Sequence, residues 1–99
     1  MTIEIKKNAS TTTIEVVGRL DTITAPALEK SIGESIANIE NLILDFGEVE
    51  YISSAGLRVL LGAQKKMMKI GSMKVVNVRD SVMEVLEMTG FADILVIER

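Results

Sequence analysis

The sequence contains no cysteine and no histidine. Disulfide bonds, thiolate nucleophiles and cysteine metal sites are therefore excluded, and neither a Ser-His-Asp triad nor a histidine-ligated metal site can form within the chain. A glycine-rich phosphate loop of the Gly-x-x-x-x-Gly-Lys type is also absent. A catalytic Ser-Lys dyad is not excluded by composition. However, the helix rise places the nearest candidate base, Lys65, about 16 Å from Ser54. These absences argue against an enzyme, and we expect no cofactor and no metal.

The sequence also has no long apolar run and no basic excess. No segment approaches the ~18 to 20 apolar residues that cross a bilayer, and the N-terminal residues lack the apolar stretch of a signal peptide. We therefore expect a cytoplasmic protein with no membrane partner. The formal net charge of −3 gives no support to nucleic-acid binding. A length of 99 residues predicts a single domain over residues 1–99. Hydrophobic residues make up 47% of the chain and aromatic residues only 3%, which predicts an aliphatic core.

The first half of the chain shows strand patterns followed by a helix pattern. Apolar and polar residues alternate around Ile3 and Ile5 and again over residues 13–17, with a polar turn at 8–12 between them. This pattern predicts an opening β-hairpin. Thr24 and Pro26 then mark the start of a helix, because proline is well tolerated in the first helical turn.

The rest of the chain alternates between strands and helices. Further elements are predicted as strands at 42–46, 74–78 and 94–97, and as helices at 54–69 and 81–90. The near-continuous apolar character of strand 42–46 predicts cover on both of its faces, and Ser81 with Glu84 has the spacing of a capping box. The order predicts an α/β fold: a mixed sheet of about five strands, an opening hairpin and βα crossovers, with helices packed against the sheet.

The most informative stretch is residues 51–57, where a strand pattern gives way to a helix pattern. Ser53 and Ser54 would lie there beside unpaired backbone N–H groups and the positive end of the helix dipole, where a phosphate is well tolerated. From the residues alone, a helix N-cap and its neighbour is the favoured interpretation of the two serines. Gly56 costs a helix about 1 kcal/mol relative to alanine, which indicates a close approach by a partner or by a neighbouring loop.

Four motifs together resemble those of a known family. In chain order they are Gly18-x-Leu20-Asp21, Leu44-Asp45, Ile52-Ser53-Ser54-Ala55-Gly56-Leu57 and Met88-Thr89-Gly90-Phe91. With this order and spacing the chain resembles a STAS domain over essentially all of its length. It begins at its own methionine and is expected to end one strand after the last helix. For this reason it resembles the stand-alone bacterial anti-sigma factor antagonists more than the cytoplasmic tails of sulfate transporters.

The resemblance implies a partner-switching cycle that regulates transcription. In that family, the unphosphorylated antagonist binds an anti-sigma factor that is also an ATP-dependent serine kinase, and this binding frees the sigma factor. Phosphorylation of one serine ends the interaction, and a phosphatase restores it. The family pattern places the phosphorylated serine at Ser54. Many members carry aspartate directly before that serine, whereas this chain has Ser53. Because Ser53 adds a second hydroxyl beside the first, it is the second choice. The alternative is a STAS subunit of a lipid-transport or other signalling complex, acting as a non-enzymatic binding module.

The resemblance also implies a partner-binding surface at the ends of two strands. The acidic residue of the family at the first corner falls on Asp21, although from the residues alone Asp21 could equally be a turn residue. Because functional loops of open α/β sheets gather at the carboxyl ends of the strands, we expect Asp21 and Ser54 to lie on one surface. The residues expected to bind the partner are Asp21, Ser53, Ser54, Gly56, Leu57 and Arg58.

Overall fold

A computed structural model describes residues 1–99. In chain order its elements are β1 (Thr2–Asn8), β2 (Thr11–Leu20), α1 (Ala25–Ser35), β3 (Asn41–Ile52), α2 (Ser54–Ile70), β4 (Ser72–Val76), α3 (Asp80–Met88) and a 3-10 helix (Phe91–Asp93). The strands form one sheet in the order β1-β2-β3-β4, antiparallel between β1 and β2 and parallel between the other pairs. The predicted α/β fold with an opening hairpin and βα crossovers is confirmed. None of the helices combines the length and apolar character needed to cross a bilayer.

The core lies on one face of the sheet. Along β3, Leu42, Leu44 and Phe46 are buried, whereas Ile43 and Asp45 between them are only half-buried. The buried strand residues join those of the three α-helices in a single cluster. The prediction that this strand is covered on both faces is therefore wrong, because the helices pack on one side and leave the other side of the sheet open.

The strand boundaries differ from the predictions where tertiary pairing overrides the local pattern. β3 extends to Ile52, well past the predicted end at residue 46, because β2 pairs with it as far as Leu20. β4 ends at Val76 instead of residue 78, since Asn77 adopts a left-handed backbone with φ of 57°.

The predicted fifth strand at 94–97 is wrong. Only an isolated parallel bridge joins Val75 to Ile97, and the sheet therefore has four strands. The segment begins directly after the 3-10 helix, and its backbone reaches β4 only around Val75. A local strand pattern there has no continuous partner to pair with.

The last α-helix starts one residue earlier than predicted and without the capping box. Arg79 occupies the N-cap position, and the Ser81 hydroxyl donates instead to the carbonyl oxygen of Glu50 on β3, at 3.2 Å. The helix ends at Met88, two residues before Gly90, which has a positive φ of 82°. Ser81 therefore joins α3 to the sheet rather than capping its own helix.

Helix α2 packs its first turn closely against the ends of β2 and β3. A Cβ atom added at Gly56 would lie 2.8 Å from Leu20 Cγ and 2.8 Å from Ile52 Cγ1, closer than the ~3.5 Å at which carbon atoms make favourable contact. Gly62, six residues later on the same helix, has no atom within 4 Å of the corresponding position. Only glycine therefore fits the first of these two sites without displacing its neighbours.

We expect Gly56→Ala to lower the free energy of unfolding by about 1 to 3 kcal/mol, because overpacking outweighs the better helix propensity of alanine. Gly62→Ala is the matched control and should raise it by up to about 1 kcal/mol, since only propensity changes there. Urea denaturation of both variants measures the two effects. Equal stabilisation by the two substitutions would contradict the packing role of Gly56.

Candidate functional site

The ends of β2 and β3 bring two loops together at one edge of the sheet. Leu20 and Ile52 are partners in the parallel register, and the Ser53 N–H donates to the Leu20 carbonyl oxygen at 2.9 Å. The turn that starts at Asp21 and the start of α2 therefore lie side by side. The structure thus has the arrangement that the strand order led us to expect.

Ser53 and Ser54 have different environments. Ser53 is the N-cap of α2: its backbone is extended, and its hydroxyl oxygen accepts the Gly56 N–H at 3.3 Å. Ser54 is the first residue of the helix and is exposed, and its hydroxyl makes no hydrogen bond within residues 1–99. The first turn of α2 contains no acidic residue. An added phosphate on Ser54 would therefore meet free solvent and no negative charge from its own helical turn.

Asp21 organises the turn that leads into α1. Its Oδ1 atom accepts the backbone N–H groups of Ile23 and Thr24, each at 3.0 Å. Its own N–H donates to the Thr24 hydroxyl oxygen at 2.9 Å. The pKa of Asp21 is lowered, and the largest cause is the hydrogen bond from the Thr24 backbone N–H. Desolvation opposes the shift, whereas the hydrogen bonds from the Thr24 hydroxyl and the Ile23 N–H and the charge of Arg19 add to it. The structure shows a turn role for this carboxylate.

A shallow cleft separates the N-terminal halves of α1 and α2. Its volume is about 240 Å³, and it is lined by Thr22, Ala25, Pro26, Glu29, Ala55, Arg58 and Val59. Arg58 is exposed and takes part in none of the ion pairs of the structure. The cleft therefore joins the Asp21 turn to the start of α2 and has an unpaired cation at its rim.

Two residues of the predicted partner surface are buried instead. Gly56 lies against Leu20 and Ile52, and Leu57 has only 7% of its surface exposed within the core. The close approach inferred for Gly56 is thus internal packing. Gly56 and Leu57 therefore lie beneath the predicted partner surface, whereas Ser54 and Arg58 are its exposed members.

Sequence reasoning missed Ile23. Its side chain is 88% exposed, the most exposed large apolar side chain of the protein, and the hydrogen bond from its N–H to Asp21 holds it in the turn beside Thr22. The available signal was its position, because an isoleucine between two threonines and outside any strand or helix period has no core to fill. A single exposed apolar side chain is common on protein surfaces, so Ile23 is of interest only because its turn lies beside the start of α2.

Comparisons with known proteins agree on the family. Residues 2–99 match the STAS domain family. The anti-sigma-F factor antagonist RsfB of Mycobacterium tuberculosis is 34% identical over 68 residues, which are 68% of this chain and 56% of RsfB. The chain thus aligns with little more than half the length of that relative.

Solved structures give the same result. The crystal structure of an anti-sigma factor antagonist from Mycobacterium paratuberculosis has a TM-score of 0.89 at 28% identity, covering 98% of this chain and 84% of that one. The anti-sigma factor antagonist SpoIIAA in its unphosphorylated form has a TM-score of 0.77 at 16% identity, covering 99% and 87%. The similarity to SpoIIAA shows a shared fold.

The lowered pKa of Asp21 predicts a pH-dependent effect of Asp21→Asn. A carboxylate with a lowered pKa stabilises the fold above the unfolded-state pKa of about 4 and loses this contribution as pH falls through its folded-state pKa. The wild type should therefore be more stable than the Asn variant at neutral pH, and the difference should shrink below pH 4. Urea denaturation at pH 7, 4 and 2.5 measures the difference in unfolding free energy between the two proteins. A difference that does not change with pH would contradict the lowered pKa of Asp21.

Proposed function

This chain belongs to the STAS domain family, and we propose that it is a single-domain, non-enzymatic anti-sigma factor antagonist that acts in the cytoplasm. Its unphosphorylated form binds an anti-sigma factor that is also a serine kinase and so releases a sigma factor. Phosphorylation of Ser54 ends the interaction, and a phosphatase restores it. The names of RsfB and of the Mycobacterium paratuberculosis structure support the antagonist role.

The observation that carries the proposal is the free hydroxyl of Ser54. Ser53 uses its hydroxyl oxygen to cap α2, and its backbone N–H is bound to Leu20. Ser54, one residue later, is exposed, and its hydroxyl makes no hydrogen bond within the protein. A kinase that approaches this edge of the sheet therefore reaches Ser54 at no cost to the fold, whereas phosphorylation of Ser53 would disturb the cap. This difference supports Ser54 as the modified residue.

The chemistry is a phosphoryl transfer from ATP to the serine. The Ser54 Oγ atom forms a bond to the γ-phosphorus as the bond to the β-γ bridging oxygen breaks, the hydroxyl proton passes to a base of the kinase, and ADP leaves. The phosphatase then hydrolyses the phosphoserine with water to give serine and inorganic phosphate. The partner supplies ATP and catalysis, and this chain supplies the acceptor hydroxyl in an accessible position.

The added charge is expected to act on binding rather than on folding. A phosphate carries about −1.5 to −2 charges at pH 7, and at the N-terminus of α2 the helix dipole stabilises it by about 0.3 to 1 kcal/mol. In a partner interface the same charge would be desolvated or would face acidic groups, at a cost of several kcal/mol. The complex is therefore more sensitive to the phosphate than the domain is.

The partner surface that we propose surrounds Ser54. Ile23 offers an apolar side chain that can fill a pocket on the partner, and Arg58 offers an unpaired cation to an acidic group. Asp21 contributes indirectly, since its carboxylate holds the turn that presents Ile23. The cleft between α1 and α2, lined by Thr22 and Arg58 among others, would accept a side chain of the partner.

We expect Ser54→Asp to lose affinity for the anti-sigma factor kinase of the same organism by at least about tenfold, or ~1.4 kcal/mol, and to melt within a few degrees of wild type. Ser54→Ala should stay bound and become insensitive to ATP. Isothermal titration calorimetry with and without ATP, together with thermal melts, measures both properties. The switch would be refuted by equal affinity of the two variants, or by retention of ATP sensitivity in Ser54→Ala.

We expect Ile23→Ser to weaken the same complex by at least about tenfold, because the substitution removes an apolar anchor. The melting temperature should hardly change, since the side chain is exposed in the free protein. Met68→Gln is the matched control: Met68 is 72% exposed but lies near the far end of α2, and its replacement should leave the affinity unchanged. A similar loss in both variants would argue against a contact at Ile23.

A further inference from the structure

The chain covers one edge of its sheet and leaves the other open. At the β4 edge, the Val75 N–H donates to the Val96 carbonyl oxygen at 2.9 Å, and the Glu98 N–H donates to the Val75 carbonyl oxygen at 2.8 Å. At the other edge, β1 pairs only with β2. The pairing of β1 runs through all seven residues without a bulge, and the strand contains no proline. A regular open edge of this kind is a template for another strand.

A row of acidic residues crosses the open face of the sheet and ends at this edge. Glu4 on β1 lies opposite Glu15 on β2, which in turn lies opposite Asp45 on β3. Like charges directly opposite each other destabilise a sheet. Asp45 is hydrogen-bonded by the Gly47 N–H and the Asn77 amide. Neither Glu4 nor Glu15 takes part in any ion pair of the structure, so the row lacks a cation at the edge.

The sequence of β1 can supply this cation to a second copy of itself. Lys6 lies on the same face as Glu4, opposite Thr13, and has no ion-pair partner. If two β1 strands pair antiparallel about Ile5, Glu4 of each copy lies opposite Lys6 of the other. The two Ile5 side chains, each 41% exposed, then meet on the helix-covered face. Directly opposite side chains in such a pair have Cβ atoms only ~5 Å apart. At positions 4 to 6 the strand is thus complementary to itself in charge and in apolar contact, whereas Ile3 lies opposite Lys7 in this register.

We propose that two copies of this chain pair through β1 in this register and form one continuous eight-stranded sheet. The interface is isologous, with the same residues on both sides of a two-fold axis. A single strand pair buries little area compared with a stable dimer, so the association is weak and depends on concentration. Because β2 separates β1 from β3 in the sheet, Ser54 at the end of β3 does not lie at the pairing edge. The inference therefore does not depend on the proposed antagonist role.

Charge exchange between positions 4 and 6 tests the register. Glu4→Lys places lysine opposite lysine, and Lys6→Glu places glutamate opposite glutamate, so each variant should dimerise at least about tenfold more weakly than wild type. The double variant Glu4→Lys/Lys6→Glu restores both opposite-charge pairs, and its dimerisation constant should return to within about threefold of wild type. Analytical ultracentrifugation of the full chain from about 10 μM to about 1 mM, the range of weak affinities, measures these constants.

The variants distinguish this register from a general effect of net charge. The two single variants change the net charge in opposite directions, so a general charge effect would weaken one dimer and strengthen the other. Lys66→Glu on α2 carries the same charge change as Lys6→Glu and should dimerise like wild type. Circular dichroism melts establish that each variant is folded. The proposal is overturned if the wild type is monomeric at about 1 mM, if the single variants dimerise normally, or if the double variant fails to recover.

Discussion

The structure depends on the pairing of Leu20 with Ile52 at the ends of two parallel strands. The hydrogen bond from the Ser53 N–H to the Leu20 carbonyl oxygen continues this pairing into the start of α2. Gly56 then packs against both side chains, so closely that a Cβ atom at this position would overlap them. These contacts place the Asp21 turn beside the first turn of α2. The candidate site is therefore a consequence of strand register and close helix packing.

This corner separates the groups that build the fold from those that meet solvent. The carboxylate of Asp21 and the hydroxyl of Ser53 are both committed to backbone N–H groups. Ile23, Ser54 and Arg58 stand beside them and have exposed side chains. Because the two sets differ, a charge added to Ser54 can change recognition while the internal hydrogen bonds of the corner persist. This separation is what the proposed phosphorylation switch requires.

The sequence predicted those features that local patterns determine. Helix α2 was predicted to within one residue, because its apolar period and the serine cap are both local. The strand expected at residues 42–46 continues to Ile52, since β2 pairs with it as far as Leu20. The strand at 94–97 and the capping box at Ser81 failed for a similar reason: one had no continuous partner, and the other was replaced by a bond to Glu50. The exposure of Ile23 depends on the Asp21 turn, which no periodicity encodes.

We propose that Ser54 is the residue whose phosphorylation switches the protein, and this proposal rests on its free hydroxyl. It is tested most directly by peptide mass mapping of the protein isolated from its own cells, with the fragmentation needed to distinguish neighbouring serines. We expect a phosphate on Ser54 in a fraction of the molecules and none on Ser53, whose hydroxyl oxygen caps α2. A phosphate on Ser53, or the absence of phosphate from both serines under conditions in which the anti-sigma factor kinase is active, would contradict it.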